Sequence, residues 1–386
     1  TGSAAGLETF VGQNVAFEDP QRTVPRVYEG SFSFQYQIAA HTAFEIGYVG
    51  NMARRLEVSK DINGIPEQYY LPNQSGTYNA AIAAKAAALN AGTPNPMAGQ
   101  VPGGSINGAT IPYWQTLVPF PEFGNVQEND VPVGSSSYNS LQTTVIQRLS
   151  HGLTVNANFT FAKVMDKNWY MNPFDTFDQL TRYQDQQPNH IFNLVVTYAV
   201  PLPASINGWV RSLLGGFQLN GTMRWQNGQL IPTPGGTNGV VNVSTSGGLG
   251  WYPIGNPALS SPTLAAYWNP CYLQAPTSGN PTPTPSNCTG SESPAFQQQT
   301  AFAPNAIPPY MNIREPESPL FDFSVFKKFQ IKEQCNIELR AEFFNVFNTP
   351  HFGWGSLTPG NAQFGLMPLV QQNDPRIGQL TGRFNF

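Results

Sequence analysis

Charge is scarce in this chain: Asp, Glu, Lys and Arg make up 11% of its 386 residues, against roughly 25% in ordinary soluble domains. The formal net charge is -4, which leaves no basic footprint and argues against nucleic acid as a partner. Long apolar runs are missing as well. No stretch approaches about 18 consecutive apolar residues, which excludes a membrane-crossing helix but not membrane-crossing strands, whose spans are short and only half apolar. Histidines number 4 and cysteines 3. His41, His151, His190 and His351 form no His-Glu-x-x-His pattern, and no Cys or His falls at zinc-ligand spacing. A Gly-x-Ser-x-Gly elbow, a Walker loop and a dinucleotide fingerprint are likewise missing. The sequence therefore offers no catalytic site, no cofactor and no metal site.

Aromatic residues, by contrast, are abundant, with 26 Phe, 15 Tyr and 7 Trp. They fall at alternate positions. In the last ten residues Leu380, Gly382, Phe384 and Phe386 share one parity, and Gln379, Thr381, Arg383 and Asn385 the other. Successive strand side chains point to opposite faces, so the segment has one apolar and one wet face. The pattern recurs over 31–38, 42–49, 153–161, 217–225, 321–331 and 337–343, and less regularly over 139–149 and 191–200. That makes nine strands. Leu7, Thr9, Val11, Val15 and Phe17 suggest a weak tenth, whose even count would put the N-terminus at the same end as the C-terminus.

The connections alternate in length. Short turns lie near 39–41, 150–152 and 332–334, with a medium one over 201–216. Long ones run over about 51–135, 164–189, 227–319 and 349–376. A soluble sandwich has no reason to place every long loop at one end, whereas outer-membrane barrels combine short periplasmic turns with long external loops. The expected fold is an all-β, antiparallel up-and-down transmembrane barrel, of which these 386 residues supply about ten strands. The bacterial outer membrane is the expected location, with outer-membrane lipid against the apolar faces.

Three groups of residues carry a resemblance to a known family. One is Tyr138-Asn139-Ser140-Leu141-Gln142 with 147–153 and 158–163, another is 34–37 with 45–50, and the third is 321–327 with 340–353. Together they resemble the barrel of TonB-dependent outer-membrane receptors of the Oar-like group. The most specific run is Asn345-Val346-Phe347-Asn348-Thr349-Pro350, which in such receptors ends an ascending strand and opens an external loop. The terminal strand, through Leu380, Phe384 and Phe386, resembles the signal read by the barrel-assembly machinery. The resemblance implies a plugged barrel of about 22 strands, import of a ligand (siderophore, glycan or peptide) and a TonB-type energy transducer as partner if a plug lies upstream. Neither plug, leading sandwich nor apolar leader is visible from Thr1 onward. The chain reads as the C-terminal part of a receptor, or as a shortened barrel that closes alone or by self-association. A structural, surface-assembly protein, a passive porin-like barrel and an outer-membrane protease or lipase are the other classes; the last needs a His/Asp or Ser/His site that the sequence does not supply.

The loops and the wet faces hold the remaining candidates. The run 79–89 is Ala-rich and favours a short helix. Trp169, Tyr170, Asp175, Asp178 and Tyr183 gather carboxylates and aromatics in one external loop. Such a set suits a ligand or calcium, yet it lacks EF-hand spacing, and a solvated loop is the plainer reading. Glu338, Arg340 and Glu342 share a luminal face, where alternating charges neutralise one another. Cys271 and Cys288 flank a Pro/Thr/Ser segment, and a disulfide there would restrict the loop in an oxidising compartment. Cys335 stands alone on the apolar face as a small hydrophobe.

Overall fold

The computed structural model describes residues 10–72, 79–100, 106–168, 183–203, 205–206, 208–234, 251–275, 284–288, 292–303, 308–332 and 335–386. Its main sheet contains β1 (Val15–Glu18), β2 (Arg26–Ala39), β3 (Thr42–Asp61), β4 (Val126–Ser150), β5 (Leu153–Lys167), β6 (Tyr183–Gln184), β7 (His190–Ala199), β8 (Phe217–Gln226), β9 (Leu320–Lys332), β10 (Cys335–Phe344) and β11 (Ile377–Asn385). Nine of them lie side by side in the order β2-β3-β4-β5-β7-β8-β9-β10-β11. Each is antiparallel to the next. This is the expected meander.

Register explains why the two-residue period matters. Phe34 lies opposite Ile46, then Thr143, Phe159, Phe192 and Trp225. The next row toward the short turns runs Tyr36, Phe44, Val145, Ala157, Leu194, Met223 and Phe321. Apolar residues thus line up across the sheet on one face, and that face is bare: Phe32 is 73% and Leu380 84% exposed. In water, so much open apolar surface would be costly; against hydrocarbon it is the favourable arrangement. A one-residue slip would turn every one of these rings to the wet face, so the pattern itself fixes the register.

The short connections form one end of the sheet. Between β4 and β5, His151 and Gly152 take φ of 53° and 84°, the left-handed pair that suits a tight hairpin. Any Cβ on Gly152 would sit 2.2 Å from the Ala199 carbonyl oxygen. The medium connection holds a short helix, α2 (Gly208–Leu214).

Two features differ from the sequence expectation. The N-terminal strand does not cross the sheet: β1 covers four residues and runs parallel to the start of β4, Val15 opposite Val126. It takes the place beside β4 that β5 leaves vacant, since β5 pairs only as far as Ser135. Leu7 and Thr9 lie outside the described residues. The first long connection is also shorter than expected, because β3 and β4 stay paired to Asp61 and Gln127. The eleven residues from Asn51 to Asp61 add roughly 35 Å of strand before tilt. Polarity along this ribbon had hidden it. Its register shifts at Leu56, Glu57 and Lys60, with Arg55 and Asp130 at positive φ, bend it as bulges do, and Val58 and Val131 are buried.

Candidate functional site

Beyond the sheet, the long connections fold. Asn79 begins α1 (Ala80–Asn90) by accepting hydrogen bonds from the Ala81 and Ile82 amides at 3.0 and 3.1 Å, the usual N-cap arrangement. One side of α1 buries Ala86 and Leu89 against Ile65, Leu71 and Phe302. Phe302 belongs to connection 227–319, and its carbonyl accepts from the Leu71 amide at 2.8 Å. A second core joins 227–319 to 345–376: Trp268, Phe296, Ile231 and Met311 pack with Phe364 and Met367. Every fully buried large side chain named in these cores comes from a loop. Among the described residues the main sheet, with lipid on one face and water on the other, buries apolar side chains only in the outer parts of β3 and β4, at Ala53, Val58, Val126 and Val131. The cap is where the core sits.

Polar clasps fasten the cap to the strand ends. Asn345, 3% exposed and at φ 49°, accepts from the Thr349 amide at 2.9 Å and donates to the Thr349 and Asp374 carbonyls at 3.2 and 3.0 Å. Asp322 accepts from the Asn345 amide at 2.9 Å. Asn348, also left-handed at φ 54°, accepts from the Arg376 amide at 2.9 Å. These bonds close the base of connection 345–376 and give the Asn-Val-Phe-Asn-Thr-Pro run its physical meaning, since Asn tolerates the left-handed region and supplies both donor and acceptor. Asn227 does the same for β7 and β8, accepting from the Asn189 and His190 amides at 3.0 Å each. The following Gly228 lies so close to Glu315 that a Cβ would stand 2.0 Å from its carbonyl oxygen.

A charged knot occupies the seam between cap and strands. Arg314 Nη1 donates to the Gly228 and Gln187 carbonyls at 2.8 and 3.3 Å, and Tyr267 Oη donates to the Arg314 carbonyl at 2.8 Å. Burial lowers the Arg314 pKa and raises that of Glu315. Tyr267 is pushed up by burial and then by Glu315 and Glu317. Tyr310 is raised by burial and by the carboxylates of Asp185 and Asp166. Sequence reading missed this knot. Arg314-Glu315 is a rare pair of opposite charges in a Pro-rich, charge-poor stretch, and that contrast was the available signal.

The wet face of the sheet is a hydrogen-bonded wall. Thr144 donates to Asn158 at 2.9 Å, Thr197 to Asn220 at 3.1 Å, Asn220 to Ser324 at 3.4 Å and Gln379 to Glu342 at 2.8 Å. Glu338 and Arg340 form an ion pair, and the Arg340 guanidinium lies 4.6 Å from the Phe326 ring centre. Glu338 and Arg340 thus pair with each other, while Glu342 is met by the neutral Gln379 amide. Leu380 and Phe384 stand exposed on β11, with Phe386 stacked on Phe384 at 5.9 Å. Cys271 and Cys288 are joined in a disulfide with Cα atoms 4.2 Å apart, and Cys335 opens β10 as a free thiol. Trp169, Tyr170, Asp175 and Asp178 lie outside the described residues; of Tyr183, the backbone pairs with Asp166. Among the described residues, no cluster of His, Cys, Asp or Glu is placed to hold a metal ion.

An antiparallel meander with a lipid-type face, a polar wall, short turns at one end and folded loops at the other defines an outer-membrane β-barrel protein. The chain belongs to the outer membrane beta barrel domain family, whose model matches residues 1–379. Its location is accordingly the bacterial outer membrane. No curated protein matches it in sequence. Among solved structures it is similar to the outer membrane transporter YddB from Escherichia coli, at 9% identity and TM-score 0.41, covering 97% of this chain and 35% of that one. It is also similar to the FrpB iron transporter from Neisseria meningitidis, at 10% identity and TM-score 0.37, covering 97% and 33%. The pyoverdine outer membrane receptor FpvA from Pseudomonas aeruginosa gives 11% and 0.34, covering 93% and 29%. The chain spans about a third of the length of these structures.

Proposed function

We propose that this chain forms part of the barrel of a TonB-dependent outer-membrane receptor of the Oar-like group, and that its loops capture a ligand for import. The observation that carries the reading is the cap. Three long outer connections share hydrophobic cores at the end of a hydrogen-bonded polar wall, so they present a shaped surface at the mouth of a wet passage. Flexible tails would not. The resemblance of 340–353 to the family supports it, because those residues build the clasp that holds one of these loops. Trp169, Tyr170, Asp175, Asp178 and Tyr183 remain our candidates for ligand contact. Glu338, Arg340 and Glu342 are our candidates for the luminal wall, and Leu380, Phe384 and Phe386 for recognition by the assembly machinery.

The test is uptake in cells. Cells are offered radiolabelled ferric siderophores, oligosaccharides and peptides, and accumulation is compared in wild type, a strain lacking this protein and a strain lacking the TonB-type transducer. Equal loss of one ligand in both deletions is the expected outcome. Unchanged uptake of every ligand would sink the reading. A second reading, self-association, is favoured by one observation: β2 and β11, the two ends of the strand order, pair on one side only among the described residues. Backbone groups left bare in lipid cost several kcal/mol each, so these edges must pair, whether with each other, with further strands or with a copy. An intact mass of the detergent-extracted species distinguishes the sources. One polypeptide well above 42.2 kDa supports a longer receptor, and a whole multiple of it supports assembly from copies.

A further inference from the structure

The connection between β7 and β8 does something a simple periplasmic turn does not. It carries α2, whose Trp209 is 76% exposed and whose Leu213 and Leu214 are also exposed. The position of α2 follows from Lys327. In register, Lys327 lies opposite Phe217 and Leu339, which places it on the apolar, lipid-type face. Yet it is buried. Its ammonium donates to the Gly215 carbonyl at the C-terminal end of α2 and sits 4.5 and 4.8 Å from the Phe217 and Phe329 ring centres. The end of α2 is therefore on the membrane side of the sheet, at the level of the last apolar rows before the short turns. There it neutralises a cation that lipid tails would otherwise meet, in the favourable sense for a helix C-terminus.

We propose that α2 is an interfacial anchor in the periplasmic leaflet of the outer membrane. Trp209 and Leu213 enter the acyl region as interface-seeking side chains do. Arg211, exposed beside them, donates to the Ile206 carbonyl at 3.1 Å and fastens the helix to the chain that leads into it. Through Lys327 the helix is continuous with the lipid-facing sheet, and this selects the phospholipid leaflet as what its exposed face meets.

The test uses the full-length protein in nanodiscs of phosphatidylethanolamine and phosphatidylglycerol. The emission of Trp209 is isolated as the difference between wild type and Trp209→Phe. Phospholipids brominated in the upper acyl chain should quench that difference at least twofold, while aqueous acrylamide leaves it largely intact. Quenching by acrylamide alone would overturn the proposal, as would protection from both quenchers, which would mean a protein segment covers α2. Wild-type emission at the remaining tryptophans and an unchanged heat-modifiable gel shift report that the variant is folded.

Discussion

Asn345 is the residue whose replacement is easiest to foresee. Asn345→Ala loses one accepted and two donated bonds and leaves a non-glycine residue at φ 49°. We expect a loss of about 2–3 kcal/mol in urea unfolding of the detergent-folded protein, with Asn345→Asp milder because it keeps the acceptor. Gly228→Ala drives a methyl into the Glu315 carbonyl. It should cost about 1–3 kcal/mol and speed proteolysis within 227–319. Two titratable groups, the half-buried His351 and the buried Glu315, tug the cap in opposite directions. Burial lowers the His351 pKa below 6.5, and its Nδ1 has no hydrogen-bond partner among the described residues. The folded cap thus binds fewer protons there than the unfolded chain, so this stability is present above pH 6.5 and is lost as pH falls through the lowered pKa. Glu315 is the reverse case: raised above 4.5 by burial, it favours the fold below that pH and loses the benefit as pH rises through its folded pKa. Protease protection measured across pH should show a smaller acid loss in His351→Leu, and in Glu315→Gln a cap more resistant near neutral pH than wild type.

At the scale of elements, the nine crossing strands were legible because lipid on one side and water on the other enforce a strict period of two. Phe32, Phe34 and Tyr36 announce β2 without any knowledge of its neighbours. The outer parts of β3 and β4 were not legible, because residues such as Arg54, Arg55 and Glu57 leave the membrane and alternate no longer. Loop structure was legible only where it is local. The Ala-rich run gave α1, while the meeting of Phe302 with Leu71 depends on residues more than two hundred positions apart. Of the candidate site, the cysteine pair and the clasp motif could be found, while of the Arg314-Glu315 knot only the charge contrast was legible, since its partners come from three separate segments. The disulfide invites a direct experiment. Its cysteines are 17 apart, and a closed loop of that size contributes about 3 kcal/mol in the chain-entropy picture. Cys271→Ser with Cys288→Ser should leave the heat-modifiable barrel shift unchanged yet raise cleavage within 227–319 at least tenfold. Equal loss of both would show that cap and sheet unfold together.

The whole molecule divides its labour unusually. A membrane barrel is ordinarily described by its strands, but here the strands provide a two-sided wall and the dry interior belongs to the cap, contributed by connections far apart in the chain. Insertion into one connection must therefore respect what the others pack against it. Truncation of 345–376, which removes Phe364 and Met367, should expose Trp268 and Phe296 and turn the purified protein toward aggregation, measurable by light scattering. For anything that meets the cell from outside, the consequence is immunological. An antibody or phage tail fibre binding this surface would read residues from several loops at once, an epitope lost on boiling and weakened on reduction, and one that single substitutions at exposed tips would alter far less than a change of one buried ring.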